Sequence, residues 1–262
     1  MRVHVVSDVH GNADALARAG DGADAVVVLG DLIDFVDYHD HGSGILGRLF
    51  GPEKVAEFAE LRRQRMHGAT ASFARMLWES LDNAAEAVEE ALREQYAKLF
   101  AALTAPTYAT PGNVDVPELW PDYAGENVHI LDGDVATIGG LRFGFVGGAL
   151  LAPGARLRRT GVWAPYLRPA EDFAARIAQL ASVDVLCSHI PPDVPELAYD
   201  VVARRMEFGS RELLKVIREQ APRWALFGHV HQPLAPRMRV GRTECVNVGH
   251  FQRTERPYVL EW

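Results

Sequence analysis

Val3-His4-Val5-Val6-Ser7-Asp8-Val9-His10 opens with a short β-branched run that stops at a serine and gives way to two metal-binding side chains. Four further runs end the same way. Ala25 to Leu29 precedes Gly30-Asp31, Pro106 to Thr110 precedes Gly112-Asn113, Val183 to Cys187 precedes Ser188-His189, and Trp224 to Phe227 precedes Gly228-His229-Val230-His231. Runs this short and apolar read as strands buried on both faces of a sheet. In open α/β architectures ligands bind outside the carboxyl ends of the strands, so five strand ends are expected to converge on one site.

The side chains delivered there are Asp8, His10, Asp31, Asn113, His189, His229 and His231. Carboxylate, imidazole and amide oxygen without thiolate suit a divalent ion such as Mn, Fe, Zn or Co. Seven donors exceed what one open ion needs. Two ions sharing a carboxylate would use them all, and ions roughly 3.5 to 4 Å apart are suited to phosphoryl chemistry. Each block alone has a plainer reading: Asp or Asn after Gly is commonly a turn residue, and a lone strand-end histidine is commonly a satisfied core or surface group. His229 with His231 resists that reading, because residues two apart project to the same side of an extended segment.

The order Asp-x-His, Gly-Asp, Gly-Asn-x-Asp, His, Gly-His-x-His resembles the calcineurin-like metallophosphoesterase superfamily, in islands from Asp8 to His231. The resemblance implies a four-layer αββα sandwich, two mixed sheets flanked by helices. It implies that Asp8, His10, Asp31 and His231 hold one ion and Asp31, Asn113, His189 and His229 the other, with Asp31 bridging. With two divalent or mixed-valence ions, two carboxylates and a shared hydroxide, about +1 faces solvent and draws in a phosphate ester. The hydroxide would attack phosphorus in line, with Asn113, Asp31 and His231 in the catalytic constellation. Asp34 and Asp115 are expected as acceptors that orient ligand imidazoles, or else as solvated loop acids.

One departure is chemically informative. Many relatives carry histidine between the Asn and Asp of the third block, where it is thought to protonate the leaving alkoxide; this chain has Val114. A general acid contributes about 10² to 10⁴-fold, so activated diesters are expected to react better than alkyl monoesters. His39 or His41, in the loop from Asp37 to Gly42, could replace the donor or hold a weaker ion, the plainer reading being an exposed polar loop. His250, after Asn247-Val248-Gly249, is placed at the rim. Two rivals remain: a scaffold that has lost its ligands, against which every ligand position here is filled, and a phosphoprotein phosphatase, against which stand Val114 and the lack of an arginine after Asp34.

The chain of 262 residues is 48% hydrophobic and 24% charged, ordinary for a globular enzyme. Its formal net charge of -8 disfavours long nucleic acids, whose affinity rests on Lys and Arg contacts to phosphates; a small phosphate ester or nucleotide is the expected substrate. No apolar run approaches a membrane span and no signal peptide is apparent, so a cytoplasmic protein is expected. Cys187 and Cys245 sit in predicted strands and read as buried thiols without a disulfide. Arg156, Arg158 and Arg159 could bind extra phosphates or lie in a solvated loop.

One domain, 1–262, is expected, with a helical hairpin inserted at 52–103. Leu77, Leu81, Ala84, Val88, Leu92, Tyr96, Leu99 and Leu103 recur three or four apart, an amphipathic helix signal. A helix continuous from Thr70 to Leu103 would be about 50 Å long, paired with a shorter one from Glu53 to Met66 and turning at Gly68. Core packing, a lid over the metals and a homo-oligomer interface all remain open for it. Helical patterning also covers Pro169 to Ser182 and Gly209 to Gln220. Short strands are expected over His129 to Leu131, Val135 to Ile138, Arg142 to Val146, Leu234 to Arg239, Thr243 to Val248 and Pro257 to Trp262.

Overall fold

The computed structural model of the protein describes residues 1–155, 162–180 and 182–262. Strands β1 (Arg2–Val6), β2 (Ala25–Val28), β3 (Thr107–Ala109) and β4 (Val128–Ile130) run parallel in one sheet, closed at the β1 edge by antiparallel β15 (Tyr258–Glu261). The second sheet has the order β13-β14-β12-β9-β6-β5. In it β6 (Leu141–Val146), β9 (Val185–Ser188), β12 (Trp224–Phe227) and β14 (Thr243–Asn247) are parallel, and β5 (Val135–Ile138) and β13 (Arg237–Val240) are antiparallel edges. Two minor pairs, β7 (Ala149–Leu150) with β8 (Leu167–Arg168) and β10 (Tyr199–Asp200) with β11 (Arg205–Met206), lie outside the sheets and carry too few residues to leave a periodic signal.

Both faces of the parallel strands are covered, which explains their unbroken apolar runs. Val3, Val5, Val27 and Leu29 pack between the sheets against Phe143, Phe145, Cys187, Leu226 and Val246. Val6, Val26 and Val28 turn the other way, toward helix α5 (Ala84–Ala102), whose Val88, Ala91, Leu92, Tyr96 and Leu99 are buried on them. Helices α6 (Ala170–Gln179) and α8 (Arg211–Gln220) cover the second sheet through Phe173, Ile177, Leu213 and Ile217. The result is the expected four-layer α/β/β/α arrangement.

Between β2 and β3 the helices differ from the sequence pattern. The segment holds α2 (Gly44–Phe50), α3 (Pro52–Arg63), α4 (His67–Glu79) and α5, following the short α1 (Ala13–Leu16). No continuous helix runs from Thr70 to Leu103: the chain breaks at Ser80-Leu81-Asp82-Asn83, where Ser80 Oγ donates to the Leu77 carbonyl. Ser, Asp and Asn compete for backbone hydrogen bonds in this way, against the apolar period. The turn before α4 falls at Arg65, φ +57, and not at Gly68, which lies inside α4. Short helices α7 (Pro195–Ala198) and α9 (Phe251–Thr254) complete the chain. Arg156, Arg158 and Arg159 lie outside the described residues, and no described helix is long and apolar enough to cross a membrane.

Candidate metal centre

The exits of β1, β2, β3, β9 and β12 meet along one rim. Backbone hydrogen bonds lace them: Asp8 N to Gly30 O at 3.0 Å, His10 N to Asp31 O at 3.0 Å, and Gly228 N to His189 O at 3.0 Å. The exits touch so closely that a Cβ on Gly112 would overlap Asp31 and one on Gly228 would overlap Ser7 Oγ and Asp8 Oδ2. Glycine is what permits this approach. Four of the eight described non-glycine residues with positive φ are Asp8, His10, Asp31 and His229. Left-handed backbone costs energy for such residues, and here it is concentrated on side chains aimed at one point.

Two groups of donors form. Asp8 Oδ1 has His231 Nε2 at 3.2 Å and His10 Nε2 at 3.8 Å, and those two nitrogens are 3.3 Å apart. His189 Nε2 stands 3.0 Å from Asn113 Oδ1 and 3.4 Å from Asp31 Oδ2, with His229 in the same group. Asp8, His10 and Asp31 place ligand atoms within 4.8 Å of one another and join the two. All seven residues singled out in the sequence are therefore brought together.

Their chemistry fits cations. The Ile33 carbonyl 3.2 Å from His10 Nδ1 and the Leu29 carbonyl 2.8 Å from His189 Nδ1 can only accept, so each ring keeps a proton there. For a neutral ring the Nε2 lone pair then faces inward. Asp8 Oδ1 is buried without a hydrogen bond, although its partner Oδ2 accepts from His229 N at 2.9 Å. Acceptors turned on acceptors repel unless positive charge lies between them. The titration of these groups shows the same strain. Burial disfavours charge on Asp8, yet the approach of His231 Nε2 to 3.2 Å and the charges of His231, His189 and His10 hold it well below the usual carboxylate range. Burial also opposes protonation of His189, but Asp31 and then Asp8 outweigh it and push that imidazole up to about 9.

Orientation of the rings differs from expectation. Backbone carbonyls of Ile33 and Leu29, not Asp34 or Asp115, fix His10 and His189. Asp115 is buried and gathers backbone amides: Leu32 N at 3.1 Å, Ile33 N at 3.4 Å and Gly112 N at 2.8 Å, with Tyr96 Oη at 3.4 Å. It ties the second and third ligand loops together. Asp34 sits in an irregular segment, its backbone clamped by Gln95. His39 is exposed and accepts from Arg253 at 3.0 Å, and neither it nor His41 joins a donor group among the described residues.

Several contributors left little sequence signal. His250 does reach the rim, close to His10 and His231. Its ring stacks on His231 at 3.9 Å and 21°, and two nearly parallel rings cannot both aim a lone pair at one ion, so it buttresses His231. Asn247, at the end of β14, donates to the Gly228 and Val230 carbonyls and holds the His229–His231 loop. Tyr166 N donates to the Asn113 carbonyl at 2.7 Å. Glu207 comes within 3.9 Å of His229 from an irregular stretch that no local pattern marks.

Two mixed sheets with a donor cluster on their shared rim define a protein of the calcineurin-like fold. A model of the calcineurin-like phosphoesterase family matches residues 1–233, and the chain belongs to that family. One solved structure superposes with a TM-score of 0.60 at 18% identity, over 96% of this chain and 91% of its own. A second, TT1561 of Thermus thermophilus, gives 0.56 at 14% identity, over 99% and 98%. Both likenesses show the fold. A putative 5'-nucleotidase from Staphylococcus aureus aligns over 95% of this chain and 48% of its own, at 12% identity and a TM-score of 0.46. No curated protein matches the chain.

Proposed function

We propose that the protein is a two-metal phosphoesterase that prefers activated phosphodiesters, with a small ester or nucleotide as substrate. Family membership supports ester hydrolysis. The observation that carries the two-ion reading is the convergence of seven donors whose facing atoms are acceptors. Asp8, His10, Asp31 and His231 would hold one ion, and Asp31, Asn113, His189 and His229 the other. When bound, the ions supply Lewis acidity to the phosphoryl oxygens and a water that is nucleophilic near neutral pH.

The chain's own groups do the rest. Asn113 turns its amide oxygen to His189, and no described residue accepts from its Nδ2, which is left to donate to a phosphoryl oxygen as charge develops there. Val114 N donates to Asp31 Oδ1 at 2.9 Å and steadies the shared carboxylate. The Val114 side chain has no proton to give, so departure of the alcohol depends on its own acidity. Aryl diesters meet that condition and alkyl monoesters do not. The buried thiols Cys187 and Cys245 fit a reducing, cytoplasmic setting.

With manganese supplied, bis(4-nitrophenyl) phosphate is expected to exceed an alkyl monophosphate, and 4-nitrophenyl phosphate, which releases the same phenol as the diester, separates the effect of ester type from that of leaving-group acidity. A preference for the alkyl monoester would refute the diester reading. Absence of bound metal and of all hydrolysis would refute the two-metal reading.

A further inference from the structure

Beyond His10 the centre opens into a cavity of about 350 Å³ whose wall includes Asn12, Asp34, Ser43, Gln95, Lys98 and Gln252. Its lining side chains are polar, so it neither houses an apolar tail nor offers an aromatic face to a nucleobase. Most of the polar groups are already engaged. Asn12 Oδ1 accepts from Ala15 N and its Nδ2 donates to the Gln252 carbonyl. Gln95 exchanges two hydrogen bonds with the Asp34 backbone, at 2.8 and 3.0 Å. Gln252 Nε2 donates to the His10 carbonyl and its Oε1 meets His250.

Ser43 Oγ donates to Asp40 Oδ2 at 3.3 Å, which leaves the Asp34 carboxyl within and, at the mouth, the Lys98 ammonium, whose charge also acts on Glu94. Asp34 is only 7% exposed, yet no described residue donates to its carboxyl. Gly44, at φ +68, leaves the space beside it, since a Cβ there would stand 3.0 Å from Asp34 Oδ1. Its oxygens are open to the cavity, so water meets them until a ligand hydroxyl takes its place. Burial, then the charges of Asp37 and Asp40, push Asp34 up to about 7, so near neutrality it both donates and accepts. Lys98 only donates. A hydroxyl satisfies either group, and neighbouring hydroxyls satisfy both. An ammonium ligand is opposed by Lys98, and a second phosphate by Asp34, Asp37 and Asp40.

We infer that this cavity is the subsite for one alcohol portion of the substrate, and that it takes a polyhydroxylated alcohol of the glycerol or sugar type between Asp34 and Lys98. The inference rests on the phosphodiesterase reading above. It is tested on the manganese-loaded protein with 4-nitrophenyl 2,3-dihydroxypropyl phosphate and 4-nitrophenyl propyl phosphate, which share a leaving group and differ by two hydroxyls. The diol ester is expected to be favoured at least about tenfold in kcat/KM, carried by KM. In Asp34→Ala and in Lys98→Met the ratio is expected to fall toward one; Lys98 is exposed, so the second variant keeps the test decisive if the first fails to fold. A wild-type ratio near one, a preference for the matching aminoethyl ester, or turnover of bis(4-nitrophenyl) phosphate alone would overturn the subsite. If all the diesters are inert, the phosphodiesterase reading falls with it.

Discussion

His189 directs Nε2 at the amide oxygen of Asn113 from 3.0 Å while its Nδ1 is held by the Leu29 carbonyl at 2.8 Å. Without a metal ion, a second ring proton is what reconciles that nitrogen with Asn113 and Asp31. The ordinary histidine value is 6.5, and burial would lower it further, but Asp31 and Asp8 push His189 up to about 9. A folded value above the unfolded one stabilises fully below pH 6.5, and the stabilisation is lost as pH rises through about 9. Asp34 and Asp115, each pushed up to about 7, lose most of their corresponding share at lower pH, so the fall between 7 and 9 belongs to His189 together with His231, whose imidazole Asp8 also raises against its burial. Chelator-stripped protein is therefore expected to show a falling Tm across that window, and metal addition at pH 8 is expected to release protons. Thermal melts and calorimetry in buffers of different ionisation enthalpy read both. A flat Tm with no proton release would contradict the assignment of His189.

Asp115 brings together amides from two ligand loops, Leu32 and Ile33 on one side and Gly112 on the other. In Asp115→Asn one acceptor oxygen becomes a donor facing other donors inside the protein. Leaving buried groups unpaired costs about 1–3 kcal/mol, and more where a charge is involved. The variant is expected to lose about 2–4 kcal/mol in urea unfolding and to bind metal more weakly, because the Asn113 loop loses its tether to the Asp31 loop. Unchanged stability would show that the tether is dispensable.

The parallel strands and the convergence of the seven donors were legible because a strand buried on both faces announces itself locally, and each donor follows such a strand closely. The turn residues after Val6, Leu29 and Phe227 carried the site for the same reason. What escaped depends on long-range partners. Asp115 looked like an imidazole partner, although its acceptors serve Leu32, Ile33 and Gly112, about 80 residues away for the first two. Glu207 reaches His229 from a stretch without periodicity. The break at Ser80–Asn83 was hidden because Leu77, Leu81 and Ala84 stay in phase across it, and only the capping preferences of Ser and Asn speak against a continuous helix.

Gly228 has no room for a side chain. A Cβ there would overlap Ser7 Oγ and Asp8 Oδ2, the oxygen that accepts from His229 N. Gly228→Ala is expected to push Asp8 off its position, at an overpacking cost of about 1–3 kcal/mol, and to lower metal content by about one ion per chain. Gly68→Ala, on α4 where no atom lies within 4 Å, makes the control: like Gly228 it has no positive φ, and it lacks the collision. Metal analysis of both variants, with thermal melts, isolates the collision. Equal metal content in both would show that the close approach of the loops does not position Asp8.

Val114 is pinned by its own amide beside the Asp31 carboxylate, donating to Asp31 Oδ1 at 2.9 Å, and its side chain is half-buried against the helical side of the core. A residue at this position is thus held next to the candidate metal centre, and valine has no proton to transfer. In Val114→His an imidazole projects from the same backbone and can protonate a departing alkoxide. Alkyl monoester turnover is expected to rise about 10 to 10²-fold, with a rate that declines once the new histidine loses its proton above neutral pH. Aryl diesters, whose leaving groups need no proton, should change little. Val114→Gln supplies polarity and hydrogen bonding without an ionisable proton, so it should show neither the gain nor the alkaline limb. Equal gains from both variants would mean that polarity, not a missing acid, limits the wild-type protein.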